Sequence, residues 1–147
     1  AAYVAASGIG VQAEGKLEGF LQSAEELGDL NPDAIGERQN PGILAAAGVP
    51  RAIPSVKQAP VVLIGASGTD GVILWRTENG CAGCFDRTAA SLTAPPHDGQ
   101  SVTLGALAAL CVQRAALNLA PLLGAHALTS DGTLRPFELL RCEDHAA

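Results

Sequence analysis

Methionine is absent from the 147 residues, and aromatic side chains are scarce: one Trp, one Tyr and three Phe. A core with so few rings has to be assembled from Ala, Leu, Val and Ile, each of which removes less area from water than an aromatic side chain does. Basic residues are also few. Nine Lys and Arg stand against fifteen Asp and Glu, a net charge of −6, which argues against a nucleic-acid or anionic-membrane surface. There is no uninterrupted apolar run of membrane length. The most apolar window, residues 102–123, carries Gln113, Arg114 and Asn118 at its centre, where a bilayer penalises polar groups most, so it predicts a buried helix and no membrane span. A charged, apolar and small-residue leader pattern is missing at the start, and the four cysteines are not spaced as a disulfide framework, which together predict a reducing, cytoplasmic compartment. With no initiator methionine, the chain is expected to be a piece of a longer one.

What remains is a globular composition, 48% apolar and 16% charged. A chain of this length buries roughly two thirds of its unfolded surface, enough for one domain with one core. Residues 3–6 read as a short strand entering the turn Ser7-Gly8-Ile9-Gly10. Leu17, Phe20, Leu21, Ala24 and Leu27 then recur at helical spacing up to Gly28, and residues 29–39 read as a loop. Asn40-Pro41 looks like a helix start, predicting a short helix over residues 43–47. Strands are expected over residues 52–56, 60–66 and 72–75, the last two forming an antiparallel hairpin. Residues 85–100 show no period and read as a long crossover loop. A helix from Ser101 to about residue 120 has only Thr103, Arg114, Asn118 and Pro121 along one narrow polar strip, and Cys111 within it reads as a small core hydrophobe. A last strand over residues 134–141 carries Pro136, which confines it to a sheet edge.

The residues that carry chemistry are Cys81-Ala-Gly-Cys84 and Cys142-Glu-Asp-His145, two pairs with x-x spacing, the second starting 58 positions after the first ends. Such spacing lets a tight turn aim two donors at one ion, and three thiolates with an imidazole complete a tetrahedral zinc shell. A filled four-ligand shell leaves no position for water, so a structural, fold-closing ion is expected and hydrolytic zinc chemistry is not. A C-x-x-C pair is also the signature of a redox dithiol, and that reading stays open beside the metal. Near the start, Gly8-x-Gly10-x-x-Ala13 follows a short strand and precedes a helix, the setting of a turn that cradles phosphate, and equally that of a plain strand-to-helix turn.

Residues 40–145 resemble the carboxyl half of the ThiF/MoeB/HesA family, the activating enzymes of ubiquitin-like and sulfur-carrier proteins. The resemblance is carried by residues 40–50 (NPGILAAAGVP), the hairpin, Cys81-Ala-Gly-Cys84, the crossover, the small-residue helix with LGALAAL at 104–110, and the closing LRPFELLRCEDH at 134–145. Family members usually carry C-x-x-C in both places; His145 replaces the last cysteine here. The resemblance implies adenylation of a small protein's C-terminal carboxylate with ATP and Mg2+, on a front loop to which Gly8, Gly10 and Ala13 correspond, with Arg38 in the arginine-glutamine pair after the family's second strand. Ala5 and Ser7 stand where the family has two further glycines, and no cysteine lies in the crossover where several members place a nucleophile.

The expectation is therefore an α/β domain with a mixed sheet, packing helices, a Rossmann-like remnant at residues 1–39 and one structural zinc in residues 40–147. Three functions follow. The chain binds, and with a fuller nucleotide-binding front adenylates, the tail of a ubiquitin-like or carrier protein. Or it is an ATP-less scaffold presenting a peptide substrate to a partner enzyme, as in ribosomal-peptide cyclodehydratase systems. Or it is a free-standing zinc or C-x-x-C redox module. A homodimer or larger assembly is expected, with no nucleic-acid or membrane partner. Acidic Asp86, Asp98 and Glu138 read as solvated charges that could border a peptide-binding surface.

Overall fold

The run Val61-Val62-Leu63-Ile64 lacks polar alternation, and in the computed structural model it lies in a strand covered on both faces, as that pattern requires. The structure describes residues 44–47, 60–92 and 94–145, all within the unit Ile43–Ala147. Their elements are β1 (Leu44–Ala47), β2 (Val61–Ser67), β3 (Asp70–Arg76), α1 (Ala82–Ala90), α2 (Asp98–Ala116), β4 (Leu123–Leu128), β5 (Leu134–Pro136) and a closing 3-10 turn, Glu143–His145. They form one mixed sheet in the order β1-β2-β3-β4-β5: β1 pairs parallel with β2, and every other pairing is antiparallel. No helix among the described residues is long and apolar enough to cross a membrane.

The two faces of the sheet have different covers. Val61, Leu63, Val72, Leu74 and Ala125 point to one side and pack with Phe85 and Ala89 of α1 and with Leu92. Residues of the opposite parity, such as Gly71, meet Leu104 and Gln100 of α2. Phe85, Leu63, Leu74 and Leu104 are fully buried, so among the described residues a core poor in rings is centred on one completely enclosed phenylalanine. Burying such a side chain contributes about 1.5–3 kcal/mol.

The hairpin of β2 and β3 is the one expected, closed by a turn at Gly68-Thr69. Other elements correct the sequence reading. Residues 44–47 form a strand where a helix was expected: alanine favours helix by weak intrinsic propensity, and pairing along Val61–Ile64 outweighs it. The expected loop at 85–100 holds most of α1 and the first residues of α2. The buried stripe of α1 is Cys84, Phe85, Thr88 and Ala89, a helical spacing hidden because a polar Thr fills one of its four positions and exposed Ala82 and Ala90 blur the contrast. Helix α2 starts at Asp98, with His97 and not Ser101 at the cap position, and the Ser101 hydroxyl donates back to the His97 carbonyl at 3.0 Å. It ends at Ala116, four residues early. Asn118 takes a left-handed φ of 56°, and Asn118 and Leu119 N–H bond the Ala115 and Arg114 carbonyls, the paired closure that an asparagine tolerates.

The residues thereby released lead into β4, a strand the sequence did not announce because Gly124 and His126 interrupt its apolar pattern. β5 is three residues long instead of eight and lies at the sheet edge, as Pro136 demands. Cys111 is half-buried beside a groove and does not sit in the core. The expected strand at 52–56, the helix start at Asn40-Pro41 and everything inferred for residues 1–39 lie outside the described residues.

Candidate metal centre

The end of β3 turns through Thr77 to Gly80, closed by a 2.9 Å bond from Gly80 N–H to the Thr77 carbonyl, and delivers Cys81 to the start of α1. There Cys81 is the helix cap. Its Sγ accepts the Cys84 N–H at 3.5 Å, a role Ser or Asp usually fills. Cys84 follows in the first turn and is buried.

The second pair arrives from the far end of the chain. After β5, Phe137 and Leu139 pack against the core. Thr88, wholly buried in α1, donates its hydroxyl proton to the Cys84 carbonyl at 2.8 Å and accepts the Leu140 N–H at 2.9 Å. Arg87 donates to the Arg141 carbonyl at 3.0 Å. These bonds lead Cys142 onto the helix start, where its own N–H reaches the Cys84 Sγ at 3.4 Å. The 3-10 turn then carries His145 to the same side, because side chains three apart eclipse at three residues per turn.

The four donor atoms of Cys81, Cys84, Cys142 and His145 lie within 4.8 Å of one another. Cys142 Sγ is 3.7 Å from both Cys81 Sγ and Cys84 Sγ, and His145 Nδ1 is 3.4 Å from Cys84 Sγ and 3.3 Å from Cys142 Sγ. Tetrahedral zinc with Zn–S of about 2.3 Å and Zn–N of about 2.0–2.1 Å places sulfurs about 3.8 Å apart and sulfur and nitrogen about 3.5 Å apart. Four of the six donor pairs therefore have the spacing of a zinc shell. Gly83 completes it: a Cβ there would lie 2.9 Å from the Cys142 Cβ and 3.2 Å from its Sγ, so only glycine lets the two turns close this far.

The electrostatics agree with a cation-binding role. The Cys84 N–H beside Cys81 is the main cause holding its thiol at about 7, below the ordinary 9.0. Burial, and then the neighbouring thiols of Cys81 and Cys84, push Cys142 the other way. Three thiolates this close repel one another, and a dication is the simplest means of ionising all three. Cys84 and Cys142 are buried, Cys81 is half-buried and His145 is exposed, so an ion would enter from the His145 side.

All four residues expected as ligands are thus brought together. Gly8, Gly10, Ala13 and Arg38, the expected ATP and Mg2+ contacts, lie outside the described residues. Asp86, Asp98 and Glu138 are all exposed. The sequence reading missed Thr88 and Gly83. A glycine inside C-x-x-C was a usable signal for close approach, whereas nothing marked Thr88. Comparison with known proteins finds no matching family model, no matching curated protein and no matching solved structure.

Proposed function

We propose that this chain is a ThiF/MoeB/HesA-like domain, stapled by one zinc ion on Cys81, Cys84, Cys142 and His145, that binds the C-terminal tail of a ubiquitin-like or sulfur-carrier protein. The observation that carries the reading is the convergence of two x-x-spaced pairs, 58 residues apart, on one cage of tetrahedral size. The β2-β3 hairpin precedes the first pair, and the small-residue helix α2 lies between the two pairs. Zinc would supply no reactive position here, since four protein donors fill its shell; it would fix the chain end against the start of α1. Binding and orienting the tail is then the work of the protein surface, within a homodimer or larger assembly. With ATP and Mg2+ on a competent front, the tail carboxylate would be activated as an acyl adenylate.

A second reading is an ATP-less scaffold that presents a peptide to a partner enzyme. It is favoured by Ala5 and Ser7, which stand where close backbone approach to phosphate calls for glycine. A redox C-x-x-C module is the weakest reading, because Cys142 and His145 share the same cage as the Cys81 and Cys84 thiols.

ATP–pyrophosphate exchange by the purified chain with candidate carrier proteins separates these readings. Exchange that depends on an intact carrier tail supports an adenylating domain. Tail binding without exchange leaves the scaffold. Absence of both for carriers and peptides alike removes the family-based reading and leaves the zinc module.

A further inference from the structure

We propose that the groove between α2 and the β3-β4-β5 part of the sheet is a binding site for a small apolar carboxylate. It lies on the sheet face opposite α1 and encloses about 200 Å³. Pockets for drug-sized ligands span about 300–1,000 Å³, so this one suits a single acyl chain or ring.

Its floor is the sheet. Trp75 pairs across the strands with Gly124, and a side chain at 124 would strike the indole, so glycine is what allows the ring to lie against β4. There it stacks on His126, with centroids 5.5 Å apart and planes 10° from parallel. Ile73 extends the floor, Leu107 of α2 forms a wall, and Leu134 of β5 closes one side. This surface favours hydrocarbon or an aromatic ring.

The polar groups are of one kind. Arg114 lines the groove from the exposed side of α2. Its single hydrogen bond among the described residues is a 3.4 Å contact from Nη2 to the Leu119 carbonyl, which leaves further N–H groups for an incoming acceptor. Among the described residues, the His126 ring nitrogens form no hydrogen bond and no acidic side chain lines the groove. In a chain of net charge −6, a guanidinium and an unpartnered imidazole beside an apolar trough select a negative head on an apolar body. Cys111 also lines the groove, where burial pushes its thiol upward.

Trp75 is the single tryptophan of the chain, so its emission reports on this site alone. Octanoate added to the full chain should change that emission saturably. Octanol, which has the same chain length without the charge, should bind about 10-fold or more weakly, the value of one charge-assisted hydrogen bond. Arg114→Gln should bring octanoate to the octanol level, and Arg114→Lys should retain most of the affinity. Circular dichroism verifies that both variants are folded. Octanoate should also slow alkylation of Cys111 in the zinc-loaded protein. No saturable change, equal binding of octanoate and octanol, or an affinity indifferent to Arg114→Gln each overturns the assignment. Displacement of octanoate by a peptide of a carrier protein's C-terminal tail overturns it as well, and reassigns the groove to that tail.

Discussion

Gly83 occupies the point where the two ends of the metal cage come closest. A methyl group there would lie 2.9 Å from the Cys142 Cβ, and because both atoms are anchored to backbone, one turn would have to retreat. Gly83→Ala is expected to weaken zinc binding about 10-fold or more, the usual cost of disturbing the groups that hold metal ligands in place, as measured by competition with a chromophoric chelator. At the other end of the cage, His145→Cys should keep one zinc per chain, because zinc accepts a fourth thiolate, whereas His145→Ala should lose affinity sharply.

Asp131 carries a pH effect of known sign. The Thr129 hydroxyl, followed by the Thr133 N–H, stabilises its carboxylate and holds it below the ordinary 3.8. The folded state thus prefers the charged form. The resulting stabilisation is fully present above the ordinary aspartate range and disappears as pH falls through the lowered value. Asp131→Asn should therefore lower the Tm at neutral pH, with the gap from the parent closing in strongly acidic solution. Thermal denaturation of the two proteins across pH measures it.

At the scale of elements, α1 carries both a ligand pair and the core, through one short stretch of sequence. Its Thr88 hydroxyl holds the returning segment by the Leu140 N–H. Thr88→Val keeps the shape and leaves that donor unpaired, which should destabilise by about 1–3 kcal/mol. Chemical denaturation of the zinc-loaded protein tests the cost.

The legibility of the elements follows from how each is stabilised. The β2-β3 hairpin was readable because both strands are buried runs of Val, Leu and Ile separated by a short turn. Pro136 revealed an edge because proline lacks the N–H that an inner strand needs. β1 was misread because four residues of LAAA carry no period, and only the partner strand makes them a strand. α1 was missed because its cap is a cysteine and half its buried stripe is Thr and Ala. β4 was missed because Gly124 serves the Trp75 ring and His126 serves the groove. Those two residues answer to side-chain neighbours that the local sequence does not contain. The convergence of Cys81, Cys84, Cys142 and His145 was the most legible feature of all, since residue identity and x-x spacing are themselves what a metal site would require, whereas the residues that aim them answer to distant contacts.

At the scale of the whole molecule, a mixed sheet carries α1 on one face and α2 on the other, and the described chain ends in the cage that joins Cys142 and His145 to the start of α1. Among the described residues, the final segment is held besides that cage by a three-residue edge strand, the Arg135–Asp70 ion pair, the Phe137 N–H on the Ala125 carbonyl, the packing of Phe137 and Leu139, and the bonds from Thr88 and Arg87. An ion there would tie these attachments into a closed loop. Metal binding would then be folding free energy in this part of the chain, and zinc affinity should fall as acid protonates the thiolates.

The decisive measurement is metal content paired with thermal denaturation, before and after chelation, on the full chain purified under reducing conditions. One zinc per chain, lost to a strong chelator together with a clear drop in Tm and restored by added zinc, is the predicted result. A protein that is folded and free of zinc when purified, takes up none when zinc is added, and melts at the same temperature with or without chelator would contradict the account.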